Sequence, residues 1–276
     1  MASIDSVENF PVENLDHVEA PLLYLAATKH VSGPLLDAGA SDWPGRSAFY
    51  TTAIYDARPI ADRLSLDLQG FVLSKEPTAV ASFYDPDKVR ALYYPEVETL
   101  VKRVTGAAKA VVFAHDVRCT TRARRGEAGV REPVTAVHND YTPKSGPQMV
   151  RESLDPAEAE ERLKGRFAEF NVWRPIQGPV LSSPLAVCDA RSIARRDLVP
   201  TELKHEVFMV AHSDRHRWFY FARMEPNEVL LIKCFDSAED GRARFTAHAA
   251  FTDPSAPPDA LARESIEVRV LAFFAE

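Results

Sequence analysis

The stretch VHNDYTPKSGP, at residues 137–147, decides our prediction of the fold. His138 and Asp140 stand two residues apart at the end of an alternating run, 134–140, that predicts a strand. Residues two apart on a strand point to the same face, so an imidazole and a carboxylate placed in this way can bind one metal together. The Tyr-Thr-Pro that follows indicates where the strand ends, because proline cannot donate to a ladder. The stretch therefore predicts part of a metal site at a strand end.

Two other His-x-acid pairs occur in the chain, His17 with Glu19 and His212 with Asp214. With 40 acidic residues among 276, eight histidines give about one such pair by chance, so the context must choose among the three. His17 lies in an N-terminal segment without sustained periodicity. His212 lies in a predicted turn between two strong strands, where polar side chains are ordinary. The context therefore favours the pair at 138–140.

A third ligand and an anion clamp follow later in the chain. His248 lies in RFTAHAAF, residues 244–251, which predicts a strand. Arg263 stands fifteen residues after His248, and Ser265 opens the last predicted strand. An arginine and a serine on one face can hold a terminal carboxylate, because the guanidinium binds it through two parallel hydrogen bonds and the hydroxyl adds a third donor.

The order His-x-Asp, distal His, Arg-x-Ser resembles the Fe(II)/2-oxoglutarate-dependent oxygenases. The likeness is most specific to the cephamycin-hydroxylase (CmcJ-like) and gibberellin-desaturase group. The matching stretches are VHNDYTPKSGP, NVWRPIQGPV, SPLAVCDARS, EVLLIKCFDS, GRARFTAHAAF and ARESIEVR, which run from Val137 to Arg269. They cover about half of the chain, whereas the segment before residue 110 carries no specific motif.

The resemblance implies a double-stranded β-helix, or jelly-roll barrel, that uses Fe(II), 2-oxoglutarate and O2. In that fold at least four strands separate the His-x-Asp pair from the distal histidine. There are 107 residues between Asp140 and His248, but only 33 between Asp214 and His248. The implied metal ligands are therefore His138, Asp140 and His248.

Further roles are implied for residues near these motifs. Arg263 and Ser265 would bind the distal carboxylate of 2-oxoglutarate, with Arg269 as the alternative to Arg263. Arg174 is a candidate contact to the cosubstrate or to an anionic substrate. The candidate pocket residues are Tyr141, Asn171 and Trp173, each with a structural role as its alternative. The implied reaction couples decarboxylation of 2-oxoglutarate to succinate with hydroxylation, desaturation or oxidative ring closure of a small, often secondary, metabolite.

The remaining pattern predicts a mainly β protein with supporting helices at 86–104 and 156–164. The predicted strands lie at 51–58, 67–74, 109–117, 134–140, 166–176, 185–188, 206–212, 217–222, 228–235, 245–251 and 264–273. The absence of βαβ alternation favours an antiparallel barrel or sandwich. We expect a single domain over 1–276, with an extended arm, short strands and a helix at 1–108 covering a barrel at 109–276.

Composition narrows the functional classes. The net charge of −7 disfavours nucleic acid as a partner. No apolar run is long enough to span a membrane, and the first thirty residues do not resemble a signal peptide. The three cysteines are widely spaced and form no disulfide framework, which favours the reducing cytoplasm. The expected partner is a small-molecule substrate, and the chain can act as a homodimer.

Two alternative functions and one charged segment stay open at this point. The alternatives are a cupin-like metal-binding barrel with hydrolase or isomerase activity, and a non-catalytic β-sandwich binding module. The carboxylate clamp favours the oxygenase, because a hydrolase needs no such clamp. A basic cluster is expected to be a mobile, solvated loop, with a substrate lid or an anion site as the alternative. Its members are Arg118, Arg122, Arg124, Arg125 and Arg131.

Overall fold

The computed structural model describes residues 12–26, 36–37 and 46–275. The strands in these ranges are β1 His17–Leu25, β2 Leu36–Asp37, β3 Arg46–Asp56, β4 Phe71–Lys75, β5 Lys109–Arg118, β6 Val130–Arg131, β7 His138–Asn139, β8 Phe167–Pro175, β9 Leu185–Cys188, β10 Leu198–Glu202, β11 Glu206–Val210, β12 Trp218–Tyr220, β13 Glu228–Asp236, β14 His248–Ala250 and β15 Ser265–Phe273. The α-helices are α1 Pro86–Lys88, α2 Tyr94–Thr105, α3 Thr120–Arg124, α4 Ser145–Ser153 and α5 Pro156–Arg162. Short 3-10 turns occur at Val12–Asn14, Arg58–Arg63, Ala190–Ser192 and Arg195–Asp197.

The strands form two sheets. Sheet A has the order β1-β3-β12-β9-β14-β7-β11-β10, with β2 paired to β3, and sheet B has the order β4-β13-β8-β15-β5-β6. Neighbouring strands are antiparallel, except for β3 with β12 and β5 with β6. Strands far apart in sequence thus lie side by side, and the two sheets form a jelly-roll barrel with few helices. The predicted fold class is confirmed by the close match to a solved oxygenase structure reported below.

The packing follows from strand alternation, because successive side chains point to opposite faces. Trp173 of β8 joins a cluster between the sheets with Val187 of sheet A. The preceding Val172 points to the other face of sheet B, where it packs against Val97 and Val101 of α2. Strand β8 is therefore buried along its whole length. This arrangement gives sheet B an inner face that can carry a site and an outer face sealed by a helix.

The long helix forms where its end signals are placed. The Asp85 side chain accepts hydrogen bonds from the backbone amides of Asp87 and Lys88, as expected of an N-cap residue. A π turn, Val89–Tyr93, joins α1 to α2, and Pro95 lies in the first turn of α2, where its missing N–H costs little. Gly106, with φ of 74°, ends the helix in the left-handed conformation.

Some local predictions were wrong. The segment expected to be an irregular arm contains β1, which pairs with β3 over nine residues and joins sheet A. Strand β4, by contrast, overlaps the strand predicted at 67–74, and it joins sheet B. The strand expected over 134–140 is shortened to β7, and helix α4 was not predicted at all. The boundary between a cover at 1–108 and a barrel at 109–276 stays a prediction, although strands from before residue 109 enter both sheets. Within the described ranges, no helix is both long and apolar enough to cross a membrane.

Candidate active site

The three predicted metal ligands come together inside the barrel. One donor atom from each of His138, Asp140 and His248 lies within 4.8 Å of the others, and all three residues are buried. His138 of β7 and His248 of β14 face each other in direct register across adjacent strands. Their ring centroids are 4.5 Å apart. Two imidazoles and one carboxylate on one side of a metal form the facial triad typical of non-haem Fe(II) sites.

Both imidazoles are oriented by backbone carbonyls. Nδ1 of His138 lies 2.8 Å from the carbonyl oxygen of Ala136, and Nδ1 of His248 lies 3.0 Å from that of Thr246. Because a carbonyl only accepts, each Nδ1 carries the proton and each Nε2 keeps its lone pair. The Nε2 atom of His248 is buried without a hydrogen-bond partner. Burial, together with the neighbouring imidazole of His138, lowers the pKa of His248, which favours the neutral form that binds metal.

The carboxylate of Asp140 is held on both sides. Its Oδ1 atom lies 3.3 Å from Nε2 of His138, and its Oδ2 accepts a hydrogen bond of 2.6 Å from the Asn171 amide. Burial acts to raise the pKa of Asp140, but the neighbouring His138 and the charge of Arg269 outweigh it and hold the pKa well below the usual range. The group is therefore an anion, and this donor set fits a divalent iron.

Asn139, between the two ligands, points to the other face of the sheet and ties the site together. Its amide nitrogen donates to the carbonyl oxygens of Tyr141, at 2.7 Å, and Cys234, at 2.9 Å. Its side-chain oxygen accepts from the backbone amide of Thr246, at 3.1 Å. Because Thr246 also orients His248, Asn139 couples the two ligand strands. Sequence reasoning missed this role, although an Asn at the buried middle position of the motif was the available signal.

A cavity adjoins the two imidazoles. Its lining residues are Arg118, Val134, His138, Trp173, Leu185, His248, Arg263 and Glu267. The guanidinium of Arg263 lies 5.4 Å from the Trp173 ring centroid, and its Nη1 donates to the Ser183 carbonyl oxygen at 2.6 Å. The Arg263 Nε and Ser265 Oγ atoms are buried without hydrogen-bond partners. A carboxylate in the cavity would satisfy both donors, which fits the carboxylate clamp expected from the sequence.

Arg269 is engaged by carboxylates of the protein. Its Nη1 donates to Asp116 at 2.8 Å and its Nη2 to Glu267 at 3.0 Å, while Nε lies 3.7 Å from Asp140 Oδ2. Burial acts to lower the pKa of Arg269, but these acidic groups raise it well above the usual range. Arg269 is thus placed to balance charge beside the metal ligand, and the geometry favours Arg263 for the cosubstrate.

Arg174 lies on the outer face of sheet B, opposite to its neighbour Trp173. Its Nε donates to the Tyr93 hydroxyl at 2.8 Å, and its Nη1 donates to the Pro226 carbonyl oxygen at 2.6 Å. Because β8 alternates, Arg174 points toward the helix and away from the triad. These contacts favour the structural alternative for Arg174, in which the residue joins the helical segment to the sheet, over a contact to the cosubstrate.

The three candidate pocket residues take different places. Trp173 lines the cavity, whereas Asn171 holds the metal ligand Asp140. Tyr141 is buried beside them with its hydroxyl unpartnered, and its ring stacks on His205 with centroids 5.4 Å apart. Burial, together with the nearby carboxyl of Glu169, raises the pKa of Tyr141 well above its usual range. The phenol therefore stays protonated.

The competing His-x-acid pairs lie outside this site. His17 and Glu19 are exposed on β1, 3.7 Å apart. His212 stacks on the Tyr50 ring at 3.9 Å between centroids, and its partner Asp214 is fully exposed. Among the described residues, the cluster at 138, 140 and 248 is the group of His, Cys, Asp and Glu that could hold a metal ion.

The basic cluster is ordered by ion pairs. Arg122 and Arg124 pair with Glu127 and Glu132, on and beside helix α3. Arg118, by contrast, is buried at the cavity. The expectation of a mobile, solvated loop was therefore wrong for Arg118, whose place depends on a strand pairing that composition does not reveal.

Comparisons with known proteins agree with this site. A family model described as "Oxidoreductase/YMDC permease-like domain" matches residues 27–273. The "Fe(II)/2-oxoglutarate-dependent dioxygenase nvfI" of Aspergillus novofumigatus is 37% identical over 232 residues, covering 79% of this chain and 81% of the relative. The "Hydroxylase/desaturase efuI" of Hormonema carpetanum is 35% identical over 248 residues, covering 80% and 82%.

A solved structure, of the "iron and alpha-ketoglutarate-dependent endoperoxidase NvfI", superposes with a TM-score of 0.78 at 30% identity. The match covers 95% of this chain and 98% of the other. Sequence and fold thus agree over nearly the whole length. The chain therefore belongs to this oxidoreductase family, and it is an Fe(II)/2-oxoglutarate-dependent oxygenase, as the sequence motifs implied.

Proposed function

We propose that this oxygenase oxidises a small secondary metabolite, with iron held by His138, Asp140 and His248 and 2-oxoglutarate held by Arg263 and Ser265. One observation carries the proposal. Two imidazoles, each fixed through Nδ1 to a backbone carbonyl, place their Nε2 atoms beside a buried carboxylate at a cavity lined by an arginine whose Nε has no partner. When bound, the iron supplies the chemistry that activates O2 and couples decarboxylation of 2-oxoglutarate to substrate oxidation.

The residues of the chain bind and orient the reactants. Arg263 and Ser265 hold the distal carboxylate of 2-oxoglutarate, which aims its keto acid end at the triad. Asn171 holds one oxygen of Asp140, which leaves the other for the metal. The apolar side chains of Val134, Trp173 and Leu185 line the same cavity and limit the access of water.

The kind of oxidation depends on substrate placement. Hydroxylation, desaturation and ring closure all begin with removal of a hydrogen atom, and relatives of this chain are named as hydroxylase/desaturase and as endoperoxidase. Those names support an oxygenase over a hydrolase, an isomerase or a binding module. A small-molecule substrate is consistent with them. The cytoplasmic location, a homodimer and the lack of nucleic-acid or membrane partners stay predictions.

The ligand assignment is tested by anaerobic titration of Fe(II) and 2-oxoglutarate, following the weak visible charge-transfer band of the complex. We expect the wild-type protein and His212→Ala to develop the band and His248→Ala to lose it, because only His248 offers a buried, unpartnered Nε2 at the triad. His212 is a matched control, since it belongs to a His-x-Asp pair that does not line the cavity. A band that survives in His248→Ala and disappears in His212→Ala would show that the assignment is wrong.

A further inference from the structure

Arg118 occupies a position from which it can reach the cosubstrate. It is the last residue of β5 and lies in direct register with Ser265, the first residue of β15. Both residues therefore point to the inner face of sheet B. Arg118 lines the same cavity as Arg263 and the two ligand histidines. Two guanidinium groups thus line the cavity assigned to the distal carboxylate, and the Ser265 hydroxyl lies on the same face of the sheet.

The surroundings of Arg118 orient it without using all of its donors. Its Nη1 donates to the Glu132 carbonyl oxygen at 2.9 Å. Its Nη2 lies 3.5 Å from Asp116 Oδ2 and 3.9 Å from Glu267 Oε1, which are long ion pairs. A guanidinium has five N–H donors, so Arg118 retains donors for a further acceptor. Its side chain is only 11% exposed, which strengthens any interaction with an anion.

The electrostatics of the cavity favour an anion. Burial, reinforced by the charge of Arg118, lowers the pKa of Arg263 to about 9. Two buried like charges that line one cavity destabilise each other unless an anion lies between them. The opposing Glu267 carboxylate is already engaged by Arg269 at 3.0 Å. A bound carboxylate would relieve this repulsion.

The buried charges also match the charge of the cosubstrate. The buried Arg118 and Arg263 and the partly buried Arg269 lie among the three carboxylates of Asp116, Asp140 and Glu267. These charges cancel. A divalent iron adds two positive charges, and 2-oxoglutarate brings two negative ones. Once the metal is bound, the site is therefore neutral only when the dicarboxylate is bound as well.

We propose that Arg118 is a second cosubstrate-binding arginine, which forms with Arg263 and Ser265 a two-arginine clamp on the distal carboxylate of 2-oxoglutarate. The inference rests on the proposed function, because it needs the cosubstrate to lie in this cavity. It adds to the Arg-x-Ser motif a residue from a different strand, 145 positions earlier in the chain than Arg263.

The test compares 2-oxoglutarate with 2-oxopentanoate, which keeps the keto acid but lacks the distal carboxylate. Dissociation constants are measured anaerobically at saturating Fe(II). We expect Arg118→Gln to raise the dissociation constant for 2-oxoglutarate about 10- to 100-fold, the range expected for loss of a charge-assisted hydrogen bond. Binding of 2-oxopentanoate should change by less than about twofold, since it makes no contact that the substitution removes. Arg124→Gln, at an exposed member of the same basic cluster, should alter neither constant.

The outcomes separate this inference from the proposed function. Equal weakening of both keto acids in Arg118→Gln would indicate a structural role and overturn the inference. The inference would also be overturned if Arg118→Gln left 2-oxoglutarate binding unchanged while Arg263→Gln selectively weakened it. If Arg263→Gln also lacks a selective effect, the proposed carboxylate site itself fails. Should Arg118→Gln not fold, Arg118→Lys keeps the charge but loses the planar fork, and we expect a selective loss of about fivefold. Absence of that loss overturns the inference.

Discussion

Glu169 shows how a single buried residue can constrain the chemistry beside the triad. It precedes Asn171 by two positions on β8, so both point to the inner face of sheet B. The residue is fully buried, and neither carboxyl oxygen has a hydrogen-bond partner. Burial, and then the negative charge of Asp140, raises the pKa of Glu169 well above its usual range. The raised pKa favours the neutral carboxyl in the folded protein.

The raised pKa of Glu169 predicts how the free energy of unfolding changes with pH. Folding raises the pKa of Glu169, so the folded protein binds a proton there that the unfolded chain has lost. The resulting loss of folding stability is absent below the unfolded pKa of about 4.3 and grows as the pH rises toward the folded pKa. We expect the metal-free Glu169→Gln variant to gain stability over the wild type with rising pH, by up to about 1.4 kcal/mol per pH unit. Urea denaturation from pH 5 to 8 measures this gain. Glu161→Gln, on the surface of α5, is the control, and a pH-independent difference for Glu169→Gln would contradict the neutral carboxyl.

At the scale of the element, the site depends on how closely β4 approaches the strand that carries His248. Gly70 precedes β4 with φ of +90°, and a Cβ atom built there would lie 2.0 Å from Oγ1 of Thr246. The Thr246 hydroxyl donates to the Gly70 carbonyl oxygen at 3.2 Å. Since the Thr246 carbonyl orients His248, a side chain at Gly70 would disturb the metal ligand through Thr246.

Gly70→Ala should therefore destabilise the fold and weaken iron binding together. Gly106 is a matched control, because it also has a positive φ, of +74°, yet a Cβ there meets nothing within 4 Å. We expect Gly106→Ala to cost about 1 kcal/mol from backbone strain alone. The clash should add roughly 1–3 kcal/mol for Gly70→Ala. Chemical denaturation and Fe(II) titration measure both effects, and equal losses in the two variants would exclude a steric contribution.

Helices and strands were predictable from the sequence where local residues marked where each element begins and ends. The strand at Leu185–Cys188 has the predicted bounds, and the long helix follows its cap and its final glycine. Helix α4 was missed because Ser-Gly-Pro is typical of a turn. Gly146 is placed there because a Cβ would meet the Phe235 ring at 3.0 Å, a tertiary contact that the local sequence does not show. Strand β1 was missed although Ala20, Leu22 and Tyr24 alternate and are fully buried.

At the scale of the whole molecule, the order of motifs along the chain was enough to predict the ligand set. The register between strands was not predictable, because it is fixed by the packing of whole sheets. Arg118 could be assigned to the cavity only after β5 was seen to pair with β15, and Arg174 could be excluded only after its face of β8 was known. The metal site itself spans the fold, because the histidines lie in sheet A while Asn171 and Arg269, which hold Asp140, lie in sheet B.

The metal-binding residues of sheet A are held by residues of sheet B. Binding of the metal, and then of the cosubstrate, should therefore stabilise the whole fold. Each ligand at 100 times its dissociation constant adds about 2.7 kcal/mol, which corresponds to a rise of roughly 5–10 °C in Tm for a chain of this size. We expect Fe(II) alone to raise Tm, and 2-oxoglutarate to raise it further only when the metal is present, because its keto acid binds the metal.

Anaerobic scanning calorimetry should show no metal-dependent shift in His248→Ala. Arg263→Gln should keep the metal shift and lose most of the 2-oxoglutarate increment, since it removes only the carboxylate contact. An equal 2-oxoglutarate shift without metal would place the cosubstrate elsewhere and refute the coupling of the two sheets through this site.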